Sequence, residues 1–461
     1  TREGKMNVSA LRRALFVAGV AALGIASTAN AALFRRYLRS DGGGTACTLQ
    51  APCRLLDAAL AAVQDGGEIW MLDSANFNTS TVVITKSVKI FAIPGALGSV
   101  VGLNGDAIYI DTSGDVTLRN LQILNFGGGL NGISVVNASA VHIEKTSIDG
   151  FSTANSSCIH VDSANTVRLY VDDSFLRHCT VGVSVLGNNA ANRTSAVLDN
   201  TRIERGFNTA SPSTVGVWMI GSADVTLRGV VISRQDIGIR DENPLTSNNS
   251  HLVLDHTVVT RSNVGIAYAN GVASANGEIL VRNSQVLTNG DTITLTNTAA
   301  GSNVYLKISD SEIGQTGGSG VTATNSAADT NSRIWVSLER AQVRNVTGVG
   351  VALTATNGAK ANLIAQDATI SNVTTAIATG GSGAGSIGVS LVRSTIFSAT
   401  TAINHGFGKV RLDGSHIVNN ANSLVNAGSG NAVSLGNNMF EDNTDATGGV
   451  VYITPTIVPG K

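Results

Sequence analysis

One short pattern returns along almost the whole chain. Two apolar residues at alternate positions are followed two places later by a turn residue, and three places after that by another apolar residue. Val116, Leu118, Asn120 and Ile123 set the pattern, and Val141, Ile143, Lys145 and Ile148 repeat it. Leu169, Val171, Asp173 and Leu176 follow, then Ala196, Leu198, Asn200 and Ile203. The beat continues through Val225, Leu227, Gly229 and Ile232 and many later sets, to Leu435, Asn437 and Phe440. This amounts to roughly 13 coils with a period of about 27 residues, shortening near the C-terminus.

Within a coil the apolar spacing is two, the period of a strand with one buried face. A second strand follows in most coils, marked by a glycine and alternating apolar residues, as in Gly132-Ile133-Ser134-Val135 and Gly182-Val183-Ser184-Val185. A single coil of this kind cannot bury its own apolar side. Stacked coils can, by pairing their strands in parallel and aligning Val, Ile and Leu in columns. The predicted fold is therefore all-β, a single-stranded right-handed parallel β-helix. Its core is a line extended coil by coil, so length alone does not set a domain count. Leucine-rich repeats share the period. They need a Leu-x-x-Leu-x-Leu frame and a helical return, which these coils lack.

Composition agrees: Gly, Ala, Asn, Ser, Thr and Val are abundant, and only 4% of residues are aromatic. With 31 basic and 32 acidic residues no global field draws the chain to nucleic acid or anionic lipid. Charge-based function has to be local.

The chain divides into four stretches. Residues 1–31 read as a signal peptide, with Thr1 to Lys5 ahead of the expected initiator Met6. Arg12 and Arg13 form its basic region, Ala14 to Ile25 its apolar region, and Ala29-Asn30-Ala31 its cleavage site. Residues 32–86 read as an N-terminal cap whose amphipathic helix starts near Arg54 and ends at Gly66-Gly67. Residues 87–443 hold the β-helix, and 444–461 a C-terminal cap or tail in which Val450 to Ile453 suggest a closing strand. The expected location is secreted, extracellular or periplasmic, with no membrane span in the mature chain. Cys47 with Cys53, and Cys158 with Cys179, fit two disulfides in an oxidising compartment, although Cys158 and Cys179 also fit two free core thiols.

The stretch TACTLQAPCRLLDAALAAVQDGGEIWMLDSANF (45–77), followed by VVITKSVKI (82–90), resembles the N-terminal signature of exported proteobacterial right-handed β-helix proteins of the pectin-lyase-like superfamily. That superfamily includes polysaccharide lyases, hydrolases, epimerases, tailspikes and adhesins, so the resemblance implies a fold and an association with glycans, not one activity. Polygalacturonase-like enzymes combine a paired Asp with Gly-His-Gly and Arg-x-Lys. Here Asp172-Asp173 have no such companions, and His405-Gly406 follow Asn404.

Three sets of outward residues carry possible chemistry. Before each turn residue stand Arg119, Glu144, Asp172, Asp199, Arg228, Asp255 and Arg282. Glu144, Asp172 and Asp199 on adjacent coils would raise one another's pKa, and with Arg228 they are the best catalytic candidates; they would also suit Ca²⁺. A solvated ladder of paired charges accounts for the same residues. Five positions past the turn residues, His178, Arg205, Arg234 and Arg261 form a basic stripe suited to tracking an acidic polymer, or simply exposed turn residues. On the second strand His160, Asp162, Trp218, Arg240 and Glu242 place an aromatic beside charged groups, as sugar binding requires, flanked by the longest loops at 187–193 and 241–250. Beyond Ala299 outward positions read as bland Ser, Thr, Ala and Asn. The reading favours a non-catalytic glycan-binding or structural module with no cofactor. A lyase, hydrolase or epimerase acting on an acidic polysaccharide is the alternative.

Overall fold

Residues one repeat apart are neighbours in space. The computed structural model describes residues 34–188, 193–204, 206, 213–244, 248–426, 428–445 and 456–457. The signal-peptide region and the suggested strand at Val450 to Ile453 lie outside them.

Most repeats contribute three strands to three parallel ladders, the second and third merging into one long strand at Gln342–Ala355, Thr369–Gly381 and Thr395–His405, and the whole is a right-handed parallel β-solenoid of about 13 turns with almost no helix. The first ladder holds the residues before the turn, such as Asp115–Arg119, Ala140–Glu144, Arg168–Asp172 and Thr194–Asp199. Across it Leu118, Ile143, Val171, Leu198, Leu227, Leu254, Val281, Ile308 and Leu338 pair rung by rung, all buried. The second ladder is short, as in Ser147–Asp149 and Phe175–Arg177. In the third, Ile133, Ile159, Val183, Val217, Ile239, Ile266, Ile293, Val321, Val351, Ile377 and Ile403 form one unbroken inward column with no exposed surface. Burying each such side chain is worth about 1.5–3 kcal/mol, the gain that drives the stacking.

The turn residue has a defined geometry. Asn120, Lys145, Asp173, Asn200, Gly229, His256, Asn283, Asp310, Arg340, Asp367, Arg393 and Gly414 all adopt positive φ, between 46° and 61°. One left-handed residue turns the chain from the first ladder into the second, which explains the preference for Asn, Asp and Gly there. A hydroxyl commonly follows it and is buried. Thr146, Ser174, Thr257, Ser284, Ser311 and Ser394 each donate to a carbonyl two residues back. Several also accept from the neighbouring coil's amide, as from Thr146 N to Ser174 Oγ at 3.2 Å and from Ser284 N to Ser311 Oγ at 3.0 Å. Backbone groups turned inward at the bend are thus satisfied. At the end of the third ladder Asn270, Asn297 and Asn325 form a buried amide ladder, each step 3.1 Å. The glycine that opens the third-ladder strand is required by close approach. A Cβ on Gly182 would lie 2.5 Å from the Gly216 carbonyl oxygen of the next coil.

Both disulfides are formed, Cys47–Cys53 and Cys158–Cys179. The helix spans Leu56–Ala62 and buries Leu56, Ala59 and Leu60. It begins later than expected because Leu55 is extended and no side chain caps the helix start. A strand not foreseen, Arg35–Leu38, pairs with Gly67–Met71. At the other end Leu435, expected inward, is 40% exposed. The shortened repeat pairs Ser434, not Leu435, with Leu412, and a one-residue offset reverses which side faces the core. Among the described residues no helix is long and apolar enough to cross a membrane.

Candidate functional site

The acidic column forms as a ladder edge, with Arg119, Glu144, Asp172, Asp199, Arg228, Asp255 and Arg282 on consecutive rungs. Arginines hold most of the acids: Arg119 pairs with Glu144, Arg228 with Asp199 at 2.7 Å, and Arg282 with Asp255 at 3.0 Å. Asp172 alone in this run has no cation partner among the described residues. Partial burial raises its carboxyl above the usual range, and Asp173, Asp199 and Glu144 push it further. Two of the three carboxylates that a Ca²⁺ would share are thus committed to arginines. No cluster of three His, Cys, Asp or Glu side chains suited to a metal occurs among the described residues.

The basic stripe sits on a second left-handed seam, between the second and third ladders. His178, Arg234 and Arg261 have φ of 54°, 59° and 56°; Arg205 lies outside the described residues. His178 contacts Asp149 at 2.7 Å, a carboxylate it shares with Arg177. Arg234 and Arg261 are exposed, make no ion pair among the described residues, and line a shallow depression of about 370 Å³ with Arg202 and Glu204. Columns one and two are therefore the two borders of the narrow second ladder, with the strand Phe175–Arg177 between Asp172 and His178.

The third set comes together on the outer face of the third ladder, where His160, Ser184, Trp218 and Arg240 are successive rungs. Trp218 donates its indole N–H to Glu242 at 3.2 Å. Arg240 lies over the indole at 5.1 Å from the ring centre and donates to the same Glu242 at 2.7 Å. Asp162 accepts from Asn188 at 2.8 Å. Desolvation holds the His160 imidazole below its ordinary pKa against the pull of Asp162 and Asp106, leaving it neutral at pH 7. Ser184 between the rings is only 3% exposed, so the patch is a continuous surface and no slot opens there.

The alternation also hid groups. Asp241, expected in a flanking loop, belongs to the strand Ile237–Asn243 and points inward between Met219 and Tyr268. Burial pushes its carboxyl up to about 7, although Ser250 donates to it at 2.7 Å. His405 is likewise a core residue, bound to Thr379 and to the Asn431 carbonyl. The expectation of a bland surface beyond Ala299 is overturned. Tyr305 and Trp335 project outward from the first ladder and stack at 4.7 Å. Each precedes an inward residue of the pattern, Leu306 and Val336, so their shared column was readable in the spacing.

No protein-family model and no curated protein matches the sequence. Among solved structures the chain is similar to the Dettilon tailspike protein, at 12% identity and a TM-score of 0.37, covering 72% of this chain and 63% of that one. It is also similar to PfbA, a surface adhesin of Streptococcus pneumoniae, at 10% identity, TM-score 0.35 and coverages of 72% and 88%. A third is the periplasmic alginate epimerase AlgG, at 10%, 0.32, 79% and 78%. The chain thus spans 63% of the tailspike's length. Likeness at this level carries no residue or activity across.

Proposed function

We propose that the protein is an exported β-helix that binds glycan chains without cleaving them, through the outer face of the third ladder. The observation that supports this most is the Trp218, Arg240 and Glu242 arrangement. An indole held edge-on by its own N–H bond and backed by a guanidinium is a rigid, half-exposed platform, ready to stack against the C–H face of a sugar. His160, two rungs before Trp218 in the same column, and Asp162, two residues further along the His160 strand, add hydrogen-bonding groups to the same face. The described part of the basic stripe, His178, Arg234 and Arg261, borders this face and would favour an acidic chain. Two disulfides fit export to an oxidising compartment.

A second reading, a lyase, hydrolase or epimerase, draws support from Asp172, whose raised pKa suits a proton-transfer group. Against it, Arg228 and Glu144 are each engaged in an ion pair. Glycan-array binding should be lost in Trp218→Ala, while reducing-sugar and unsaturated-product screens over pectin and alginate stay blank. Turnover abolished by Asp172→Ala would replace the first reading with the second.

A further inference from the structure

We infer that the outer face of the first ladder carries a separate binding site for an acidic sugar unit, centred on Trp335. This shares with the proposed function the assignment of acidic glycans as the ligand class; the face and the residues are different.

Trp335 and Tyr305 occupy adjacent rungs of one outward column, stacked with 17° between their planes. Their stack runs along the solenoid axis, so each ring covers one face of the other and turns its second face away. The far side of Trp335 looks onto Asn362 and then Gly388, the next two rungs. There a depression of about 370 Å³ opens, walled by Trp335, Ile364, Lys409 and Arg411 and floored by Gly388 and Ser390. Gly388 matters because a Cβ there would lie 2.8 Å from Asn362 Oδ1, so the missing side chain leaves the Asn362 amide room beside the indole at the edge of the depression.

Charge selects the occupant. On the outward positions of this face from Asn303 to Asp413 there are five cations, Lys307, Arg333, Lys360, Lys409 and Arg411, against two acids, Glu339 and Asp413. Glu339 is already held by Lys307 and Arg340, and Asp413 accepts from Asn437. Arg333, Lys360, Lys409 and Arg411 make no ion pair among the described residues, and Arg333 sits 5.3 Å from the Trp335 ring centre, adding positive charge beside it. Earlier rungs of the same ladder instead mix acids, such as Glu144, Asp172, Asp199, Asp224 and Glu278, with Arg119, Arg168, Arg228 and Arg282. An aromatic face with an exposed Ile364 suits the C–H side of a pyranose. Two unpaired cations suit a carboxylate, and the Asn362 amide and Ser390 hydroxyl suit ring hydroxyls. A nucleic acid would satisfy the cations and the indole as well, but the disulfides fit a compartment outside the cytosol, where carboxylated polysaccharides are the polyanions at hand.

Calorimetric titration of the full chain with tetragalacturonate, cellotetraose and a short oligothymidylate tests this. Tetragalacturonate should bind, weaken with added salt, and weaken about tenfold or more in Trp335→Ala and in Lys409→Gln/Arg411→Gln, with thermal melting unchanged in both. Trp218→Ala is run beside them. Loss in Trp335→Ala with retention in Trp218→Ala supports this site whatever becomes of the third-ladder patch. The inference is overturned by tetragalacturonate affinity that survives both first-ladder variants, by cellotetraose binding equally well, by preferential binding of oligothymidylate, or by no binding of tetragalacturonate at all.

Discussion

Arg228 stands one rung from Asp199 and donates to both of its carboxylate oxygens, at 2.7 and 2.9 Å. The pair leaves its other neighbour, Asp172, as the uncompensated acid of the column. Both partners are well exposed, at 54% and 33% of their side-chain surface, so the bond does little for stability. In Arg228→Gln the unfolding free energy from urea melts should change by less than about 1 kcal/mol. The Asp172 carboxyl should titrate at still higher pH by NMR, because Asp199 then acts on it unscreened. An Asp172 titration that does not move would show that the acids are not electrostatically coupled.

Asp241 makes stability depend on pH. Its folded pKa, about 7, lies above the roughly 3.9 of an unfolded aspartate. Both states are protonated below pH 4, so no penalty exists there. Between pH 4 and 7 the unfolded chain loses its proton and the folded one keeps it, so stability falls with rising pH and levels off above 7. Asp241→Asn keeps the shape and should abolish this slope, gaining up to roughly 4 kcal/mol at pH 8 relative to the native chain. Melting temperatures of both proteins across pH 4–8 give the answer; parallel curves would mean that Asp241 is not the cause.

The Cys158–Cys179 bond closes a segment with a sequence separation of 21 and ties two adjacent coils. Its replacement by Ser at both positions should cost about 3 kcal/mol in the unfolded-state entropy picture. Hydrogen exchange should locate the loosening in coils around Ile159 and Val183, since stacked repeats feel mainly their nearest neighbours. Protection lost evenly along the whole solenoid would contradict this.

Lys145 holds a left-handed turn position with φ of 48°, and its side chain makes no ion pair among the described residues. Lys145→Val should destabilise by about 1–2 kcal/mol, whereas Lys145→Gly should be neutral or mildly stabilising. Denaturant melts that rank the two variants the other way would remove the conformational argument for the turn column.

The core was legible because it obeys one period. Ile266 is inward for the same reason as Ile239 and Ile293, and the two spacings in each coil told which neighbours they would meet. Asp241 was not legible, since an acid where the pattern asks for an apolar residue looks like the start of a loop, and only its burial reveals the exception. Register alone put Asp172 beside Asp199 but did not say which acid Arg228 would take, because that depends on side-chain rotamers. Tyr305 and Trp335 were within reach of the spacing, yet they stand alone in a tract of small polar residues, and composition masked them. The basic stripe shows a further limit: a left-handed seam position accepts Arg, His or Asn alike, so residue type there reports backbone need as much as any ligand.

Stacking also sets distances in whole steps. The Trp218 coil and the Trp335 strand are separated by about four rungs, roughly 19 Å along the axis. Duplicating one coil between them would add a single increment of about 4.8 Å and leave each surface intact. The molecule is thereby a graduated ruler, on which evolution or an experimenter can change the gap between two contact points by copying a sentence of sequence, with no need to rewrite it.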